Sequence, residues 1–419
     1  MEILGKTLSP DLGVRLQLGG EPRALDGIAA RIRVGDADAV GRLIGMMSQD
    51  AMAEGYLRGD IEIDGDVGAA IEAGRSVDPR RLDSVDVRRL IRFGLELRRG
   101  TSASPPLRRL ARLTGPRHSR ARDLAAVRFH YDVGESFYSL WLDRRLTYSC
   151  AYFERPDDPA VNLDAAQEAK LELICRKLGL GPGQRLLDVG CGWGSLVLYA
   201  AERHGVTAVG VTLSARQATE ANRRAAEAGL SDRVRAEVRD YRDLAALGTF
   251  DAVASVGMFE HVGSRNLAAY FQAAWDALAP GGRFLNHGIA TAEGRRARPS
   301  DVRRNSRFVE RYVFPDGELV PVERAIAVAR DQVGFELLDV QLLRPHYALT
   351  LRAWVERLER SWAAAVDAAG AEVARTWRLY MSGARLGFER GELDVAQLLL
   401  ARPNADGTPS SHPLRPWWL

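Results

Sequence analysis

The chain has 419 residues, 46% of them hydrophobic and 27% charged, with a formal net charge of +3. That length exceeds a typical single domain and the apolar content suffices for a buried core, so two domains are expected. Three cysteines (Cys150, Cys175, Cys191) without paired spacing, and no charged-then-apolar leader before Gly5, argue against a disulfide framework and secretion and predict a cytoplasmic protein. No apolar run approaches the ~20 residues needed to span a bilayer, which leaves surface association as the membrane option.

In chain order, residues 1–100 read as a smaller domain of mixed, largely helical character, with helices near 36–54 and 83–99 and a short strand pair around Gly59–Gly65. Between Arg88 and Arg128 stand twelve arginines and no lysine, against only Glu96 and Asp123. Arg88, Arg89, Arg92, Arg98 and Arg99 interleave with Leu90, Ile91, Phe93, Leu95 and Leu97, as in an amphipathic helix lying on an anionic lipid surface. A solvated helix face in an arginine-rich chain is the other reading. Nucleic acid is disfavoured, because the patch lacks interleaved stacking aromatics. Pro105-Pro106 and Gly115-Pro116 place a linker at 101–122, so the catalytic domain is expected over 123–419.

From Gln184 onward the pattern changes to strand followed by helix. Strands are predicted at Arg185–Val189, Ala208–Leu213, Val234–Val238, Phe250–Val256 and Arg283–Ile289, with helices near 194–204, 215–229 and 265–278. This order means an α/β domain whose parallel sheet is covered on both faces, with ligands beyond the carboxyl ends of its strands. The first strand breaks into Gly190-Cys191-Gly192-Trp193-Gly194, a turn whose alternate glycines let backbone N–H groups approach a ligand. The spacing differs from the G-x-G-x-x-G that cradles a pyrophosphate and favours S-adenosylmethionine over NAD. Taken alone, the turn leaves a purely structural βα connection open.

Around this sheet stand several polar and aromatic clusters: His130-Tyr131-Asp132-Val133-Gly134, Leu146 to Phe153, Gly257-Met258-Phe259-Glu260-His261-Val262-Gly263, Tyr312 to Gly317, and His346 to Leu351. Together, and in this order, they make the chain resemble the cyclopropane-fatty-acid-phospholipid synthases, with the mycolic acid methyltransferases and the enzymes that make methylene- or methyl-branched fatty acids. The resemblance is detailed over 126–400 and thinner before, where Gly55-Tyr56-Leu57-Arg58-Gly59-Asp60 is similar to the family's N-terminal domain. It implies a Rossmann-like, class I S-adenosylmethionine-dependent methyltransferase fold with a mostly parallel seven-stranded sheet. The implied reaction transfers the methyl carbon of S-adenosylmethionine to a cis double bond in an unsaturated acyl chain of a phospholipid.

An alkene is a poor nucleophile, so such a site must hold the methyl group in line and exclude water. Tyr131, Tyr148, Phe259, Tyr312 and Tyr347 are candidates to stabilise the resulting cation, core packing being the other role for each. Ring closure then needs a base that resists alkylation, and the resemblance implies a bound bicarbonate ion. Its implied ligands are the backbone N–H of Cys150 and of Ile289 with the side chains of Glu260, His287 and Tyr347. His261 is expected to orient Glu260. For the cofactor, the resemblance implies Tyr148 and Ser149; Gly190, Gly192 and Trp193 at the amino-acid end; Thr212, Leu213 and Gln217 after the second strand; and Asp240 and Tyr241 near the adenine. No metal is expected. The second strand ends without the acidic residue that commonly reads the ribose, a departure the family shares, with Gln217 as the implied substitute. The expected setting is the inner face of the membrane, bound peripherally, where a homodimer would add avidity.

The chain departs from the family pattern in four places. Glu135-Ser136 replaces an Asn-Asp pair. Phe314-Pro315-Asp316-Gly317 replaces Phe-Pro-Gly-Gly, and Leu319-Val320-Pro321-Val322 replaces a Leu-Pro-Ser element. No cysteine occurs in Met381 to Arg385. The nearest alternative to ring formation is a methylene-branched product, with the proton released elsewhere. A catalytically silent lipid-binding protein is a third reading, against which the intact Glu260, His287 and Tyr347 stand.

Overall fold

The computed structural model describes residues 13–18, 25–35, 49–76, 113–292 except 132 and 159–161, 307–410 and 416–418, with isolated positions between 39 and 111. In chain order the elements that matter are β1 (Val14–Leu18), β2 (Ala30–Val34), α1 (Gln49–Arg58), β3 (Ile61–Gly65), α2 (Val67–Arg75), α3 (Arg120–Tyr131), α4 (Glu135–Tyr138) and α5 (Leu163–Leu178). They continue with β4 (Arg185–Val189), α6 (Ser195–His204), β5 (Thr207–Thr212), α7 (Ala215–Glu227), β6 (Val234–Val238), β7 (Phe250–Val256), α8 (Leu267–Ala277) and β8 (Leu278–Thr291). The last are α9 (Val322–Ala327), β9 (Glu336–Leu342), α10 (Arg344–Arg360), α11 (Trp362–Ala369), α12 (Ala371–Glu389) and β10 (Leu393–Ala401).

The chain divides into two compact units. The first comprises Met1–Ala111, Arg298–Val313 and Leu358–Leu386; the second comprises Arg112–Ala297, Phe314–Arg357 and Gly387–Leu419. The sequence reading expects a single boundary at 101–122, whereas two later segments also belong to the first unit. A boundary read from Pro and Gly punctuation sees only breaks in the chain, not which later helices return to an earlier core.

In the first unit, β2 pairs in parallel with β1 and antiparallel with β3. The expected local strand pair at 59–65 is therefore one strand, β3, joined to a partner about thirty residues earlier (Ile61 opposite Val34). Gly59, at φ +86°, follows α1 and is no hairpin turn. Arg378 of α12 donates to the carbonyls of Ile63 and Gly65 at 2.9 and 3.0 Å, tying that helix to β3. The helix expected over 36–54 is seen only from Gln49, the residues before it falling mostly outside the described ones. Of the arginine-rich helix expected over 83–99, Arg88, Arg89 and Arg92 are helical and exposed, and Leu90, Ile91, Phe93, Leu95 and Leu97 lie outside the described residues.

The second unit is built on a seven-stranded sheet in the order β6-β5-β4-β7-β8-β10-β9. Strands β4 to β8 are mutually parallel, and β10 runs antiparallel to both neighbours. Side chains alternate along each strand and so feed two cores. Leu187, Val189, Val209, Val253 and Phe284 pack with Tyr270, Phe271 and Ala274 of α8. Leu186, Ala208, Ala252, Ala254 and Leu285 pack with Leu171 and Ile174 of α5 and Val197 and Ala200 of α6. Strand order reverses at β4, so the crevice lies at its carboxyl end, beside those of β5 and β7. All five predicted strands form, and β8 begins earlier than expected, at Leu278. A register shift opposite Phe250–Ala252 accommodates Pro280-Gly281-Gly282.

Candidate active site

The glycine turn leaves β4 with Gly190, Gly192 and Gly194 at φ +87°, +53° and +85°. At Gly190 a side chain would be strained by the backbone and would also meet Cβ of Met258 at 3.0 Å. At Gly192 an added Cβ would project into open space, which leaves the turn's face clear for a ligand. This face borders an open cavity at the carboxyl ends of β4, β5 and β7. Tyr148, Ser149, Gly190, Gly192, Trp193, Thr212, Leu213, Gln217, Tyr241 and His261 of the predicted residues line it.

Thr212 and Gln217 are joined: the threonine hydroxyl donates to Oε1 of Gln217 at 2.7 Å and accepts from the N–H of Ser214 at 3.1 Å. Thr212 therefore orients Gln217, whose amide NH₂ remains available to donate, as recognition of ribose hydroxyls requires. Asp240 is not among the lining residues. Its carboxylate accepts from the N–H, Nε and Nη2 of Arg242 at 2.9, 2.7 and 2.8 Å, and Tyr241, Arg239 and Arg242 beside it line the cavity instead.

The residues predicted around the base lie next to this cavity and do not line it. Glu260 sits in a short turn after β7, 8% exposed, and its Oε1 accepts from the N–H of Ile289 at 2.6 Å. Its Oε2 is buried without a partner. Burial pushes the carboxyl up to about 7 against the pull of the Ile289 N–H. His287 stands two residues before Ile289 on the same strand, 1% exposed, with Nδ1 3.2 Å from the side-chain amide of Gln397 on β10 and Nε2 unpartnered. Burial, helped by the charges of Lys170 and Lys177, holds this imidazole down to about 3, so it is neutral. With the Gln397 amide donating to Nδ1, the ring proton stands on Nε2.

Cys150 and Tyr347 meet at one carbonyl. Leu343 O accepts from the Tyr347 N–H at 3.1 Å and from Cys150 Sγ at 3.8 Å, while the Leu343 N–H donates to Val395, the residue paired with Ile289. The Tyr347 ring is buried between Trp354 and Phe388. The cysteine thiol is pushed up out of the ionising range by burial, which leaves its backbone as the useful part. Four of the five implied bicarbonate ligands are thus connected across β8, β10 and the start of α10, and His287 joins them through its strand and Gln397.

Tyr312 belongs to the first unit, where its hydroxyl donates to Glu54 Oε1 at 2.8 Å. His261 lines the cavity beside the Phe314 ring, 5.4 Å away, and burial lowers its pKa to about 4. Its backbone N–H donates to Met258, and no hydrogen bond to Glu260 is present among the described residues.

Sequence reasoning passed over Lys170 and Asp188, which line the same cavity at 1% and 2% exposure. Burial lowers the Lys170 ammonium to about 8 and raises the Asp188 carboxyl to about 7. A lysine in the stripe Leu163, Gln167, Lys170, Leu171, Ile174 of a helix was the available signal, since a charge on an apolar face calls for a partner. Asp316, at the family departure, takes φ +62° and accepts from Arg122 through both carboxylate oxygens. The ion pair compensates for a backbone conformation that glycine would adopt freely.

A positive-φ glycine turn at the switch point of a mostly parallel seven-stranded sheet, with a hydroxyl- and amide-lined cavity at its mouth, defines a class I S-adenosylmethionine-dependent methyltransferase. The family model described as mycolic acid cyclopropane synthetase matches residues 118–398, and the chain belongs to this family. It is 40% identical over 379 residues to a "Probable fatty acid methyltransferase" of Pseudomonas putida, covering 90% of this chain and 88% of that protein. It is 37% identical over 289 residues to the cyclopropane-fatty-acyl-phospholipid synthase of Escherichia coli K12, covering 69% and 71% respectively. Among solved structures, the mycolic acid cyclopropane synthase CmaA1 complexed with SAH and CTAB aligns with a TM-score of 0.62 and 35% identity, over 66% of this chain and 97% of that one.

Proposed function

We propose that this methyltransferase acts on a cis double bond in an acyl chain of a membrane phospholipid and closes a cyclopropane ring, with bicarbonate as the base. S-Adenosylmethionine, when bound, supplies an electrophilic sulfonium methyl group. The turn at Gly190–Gly194 holds its amino-acid end, and Gln217 donates to the ribose. Tyr131 and Tyr148 line the cavity and offer ring faces to positive charge developing on the acyl carbon, each worth roughly 1–2 kcal/mol in a desolvated site.

The observation that carries ring closure is a set of unspent polar groups beside the cavity. Glu260 Oε2 and His287 Nε2 are buried without partners, and the N–H of Cys150 donates to nothing among the described residues. One acceptor and two donors suit a small anion that carries a hydroxyl. Bicarbonate, when bound there, supplies a base able to take a proton from the new methyl group. Glu260, once ionised, accepts its hydroxyl proton. His287, kept neutral, donates from Nε2 without adding positive charge next to the cation. Ile289 differs from the expectation, because its N–H is spent on Glu260 Oε1 and so orients that carboxylate.

The name of the Pseudomonas relative supports methyl transfer to a fatty acyl chain and is equally compatible with a methylene- or methyl-branched product. Exposed Arg88, Arg89 and Arg92 support a peripheral, cytoplasmic-side encounter with anionic lipid. The test is to incubate purified protein with S-adenosylmethionine and oleoyl phospholipid vesicles and to analyse the released methyl esters by mass spectrometry. A gain of one carbon as a ring is expected. A methylene branch would replace the ring with the alternative, and no added carbon would sink the assignment.

A further inference from the structure

The base-site residues leave one buried charge unexplained. Lys170 lies on the inner face of α5, and its Nζ donates to Ser149 Oγ at 2.8 Å. An ammonium has three N–H groups, and among the described residues Nζ spends one of them. Three residues earlier on the same helix face, Gln167 donates to the carbonyls of Ser149 and Thr147 at 2.9 and 3.3 Å. The segment 147–149 is therefore already pinned to α5 without Lys170. The charged and titratable groups facing the ammonium are Asp143, Cys150, Asp188 and His287. Asp143 is spent on the N–H groups of Thr147 and Arg145, and Asp188 Oδ1 has no partner.

Because Ser149 Oγ accepts from Nζ, its own hydroxyl proton must point away from the lysine, and Ser149 lines the cavity beside Gly190 and Gly192. The wall thus combines an oriented hydroxyl donor and a buried positive charge with the unpartnered Oδ1 of Asp188. That is the complement of a zwitterionic amino-acid group. We propose that Lys170 is a positioning residue that, through Ser149, fixes the α-carboxylate of S-adenosylmethionine. The proposal rests on the cavity being the cofactor site.

The test is calorimetric titration of the full chain with two ligands: S-adenosylhomocysteine, which carries the carboxylate, and 5′-methylthioadenosine, which lacks the amino-acid group. Lys170→Met is expected to weaken S-adenosylhomocysteine by about tenfold or more, the scale of a charge-assisted hydrogen bond, with methylthioadenosine changed less than about twofold. Lys170→Arg should restore part of the loss. Ser149→Ala should reproduce it, and the double variant should be no weaker than either single one. Equal weakening of both ligands would make Lys170 merely structural and overturn the proposal, as would unchanged binding of S-adenosylhomocysteine. If Lys170→Met does not fold, Lys170→Gln, which keeps a donor for Ser149 without the charge, decides by the same comparison. A wild-type chain that binds neither ligand would instead refute the cofactor site itself.

Discussion

Glu260→Gln separates the cost of the Glu260 charge from its use. Glutamine keeps an oxygen for the Ile289 N–H, which Glu260 accepts at 2.6 Å, and replaces Oε2, which has no partner, with a neutral NH₂. Burial raises the carboxyl from 4.5 to about 7, so between these values the folded chain holds a proton that the unfolded chain has lost. Wild-type stability therefore declines through this window as pH rises, by on the order of 3 kcal/mol in total from this group. The glutamine variant lacks that term. Its stability relative to wild type should accordingly grow by about that amount from pH 4.5 to 7.5, as read from urea unfolding at several pH values. Turnover on oleoyl phospholipid should fall by about a hundredfold or more, and wild-type turnover should rise with pH through about 7 as Glu260 ionises. A stability difference that does not vary with pH would refute the buried-charge reasoning, and turnover within a few-fold of wild type would remove Glu260 from catalysis.

Two further outcomes follow from the same physics. His287 falls from 6.5 to about 3 on burial, so the unfolded chain binds a proton there that the folded chain refuses, and stability is lost as pH drops through that window. The acid limb of His287→Gln should be shallower than that of wild type by up to about 1.4 kcal/mol per pH unit, measured by urea unfolding from pH 6.5 to 4; an unchanged limb would mean the ring is not buried neutral. At the loop departure, Asp316→Ala loses the Arg122 pair and keeps the φ +62° strain, costing on the order of 2–3 kcal/mol. Asp316→Gly relieves the strain and should be milder by about 1 kcal/mol; equal losses would show that the backbone is not strained there.

Much of the second unit was legible because its signals are local. Arg185–Val189 and Phe250–Val256 are short apolar runs bounded by turn residues, and the glycine turn follows from spacing alone. Strand β10 was not read, since Leu393–Ala401 is apolar on both sides, buried between β8 and β9, and lacks the alternation that marks a half-exposed strand. The first unit was least legible, because β3 pairs with β2 across a segment that contains α1, and nothing in Ile61–Gly65 names its partner.

The sequence by itself determined the strand and helix order from β4 to β8, the glycine turn and the family, because each depends on residues close together in the chain. Tertiary structure alone decided what each of those residues does. It spent the Ile289 N–H on Glu260, turned Thr212 onto Gln217 and Asp240 onto Arg242, and set Tyr312 beside Glu54. It also buried Lys170 against Ser149. A hydrogen-bonding group has a chemistry that can be read from its type, but its partner and its hydration are settled only when distant segments pack together and exclude water.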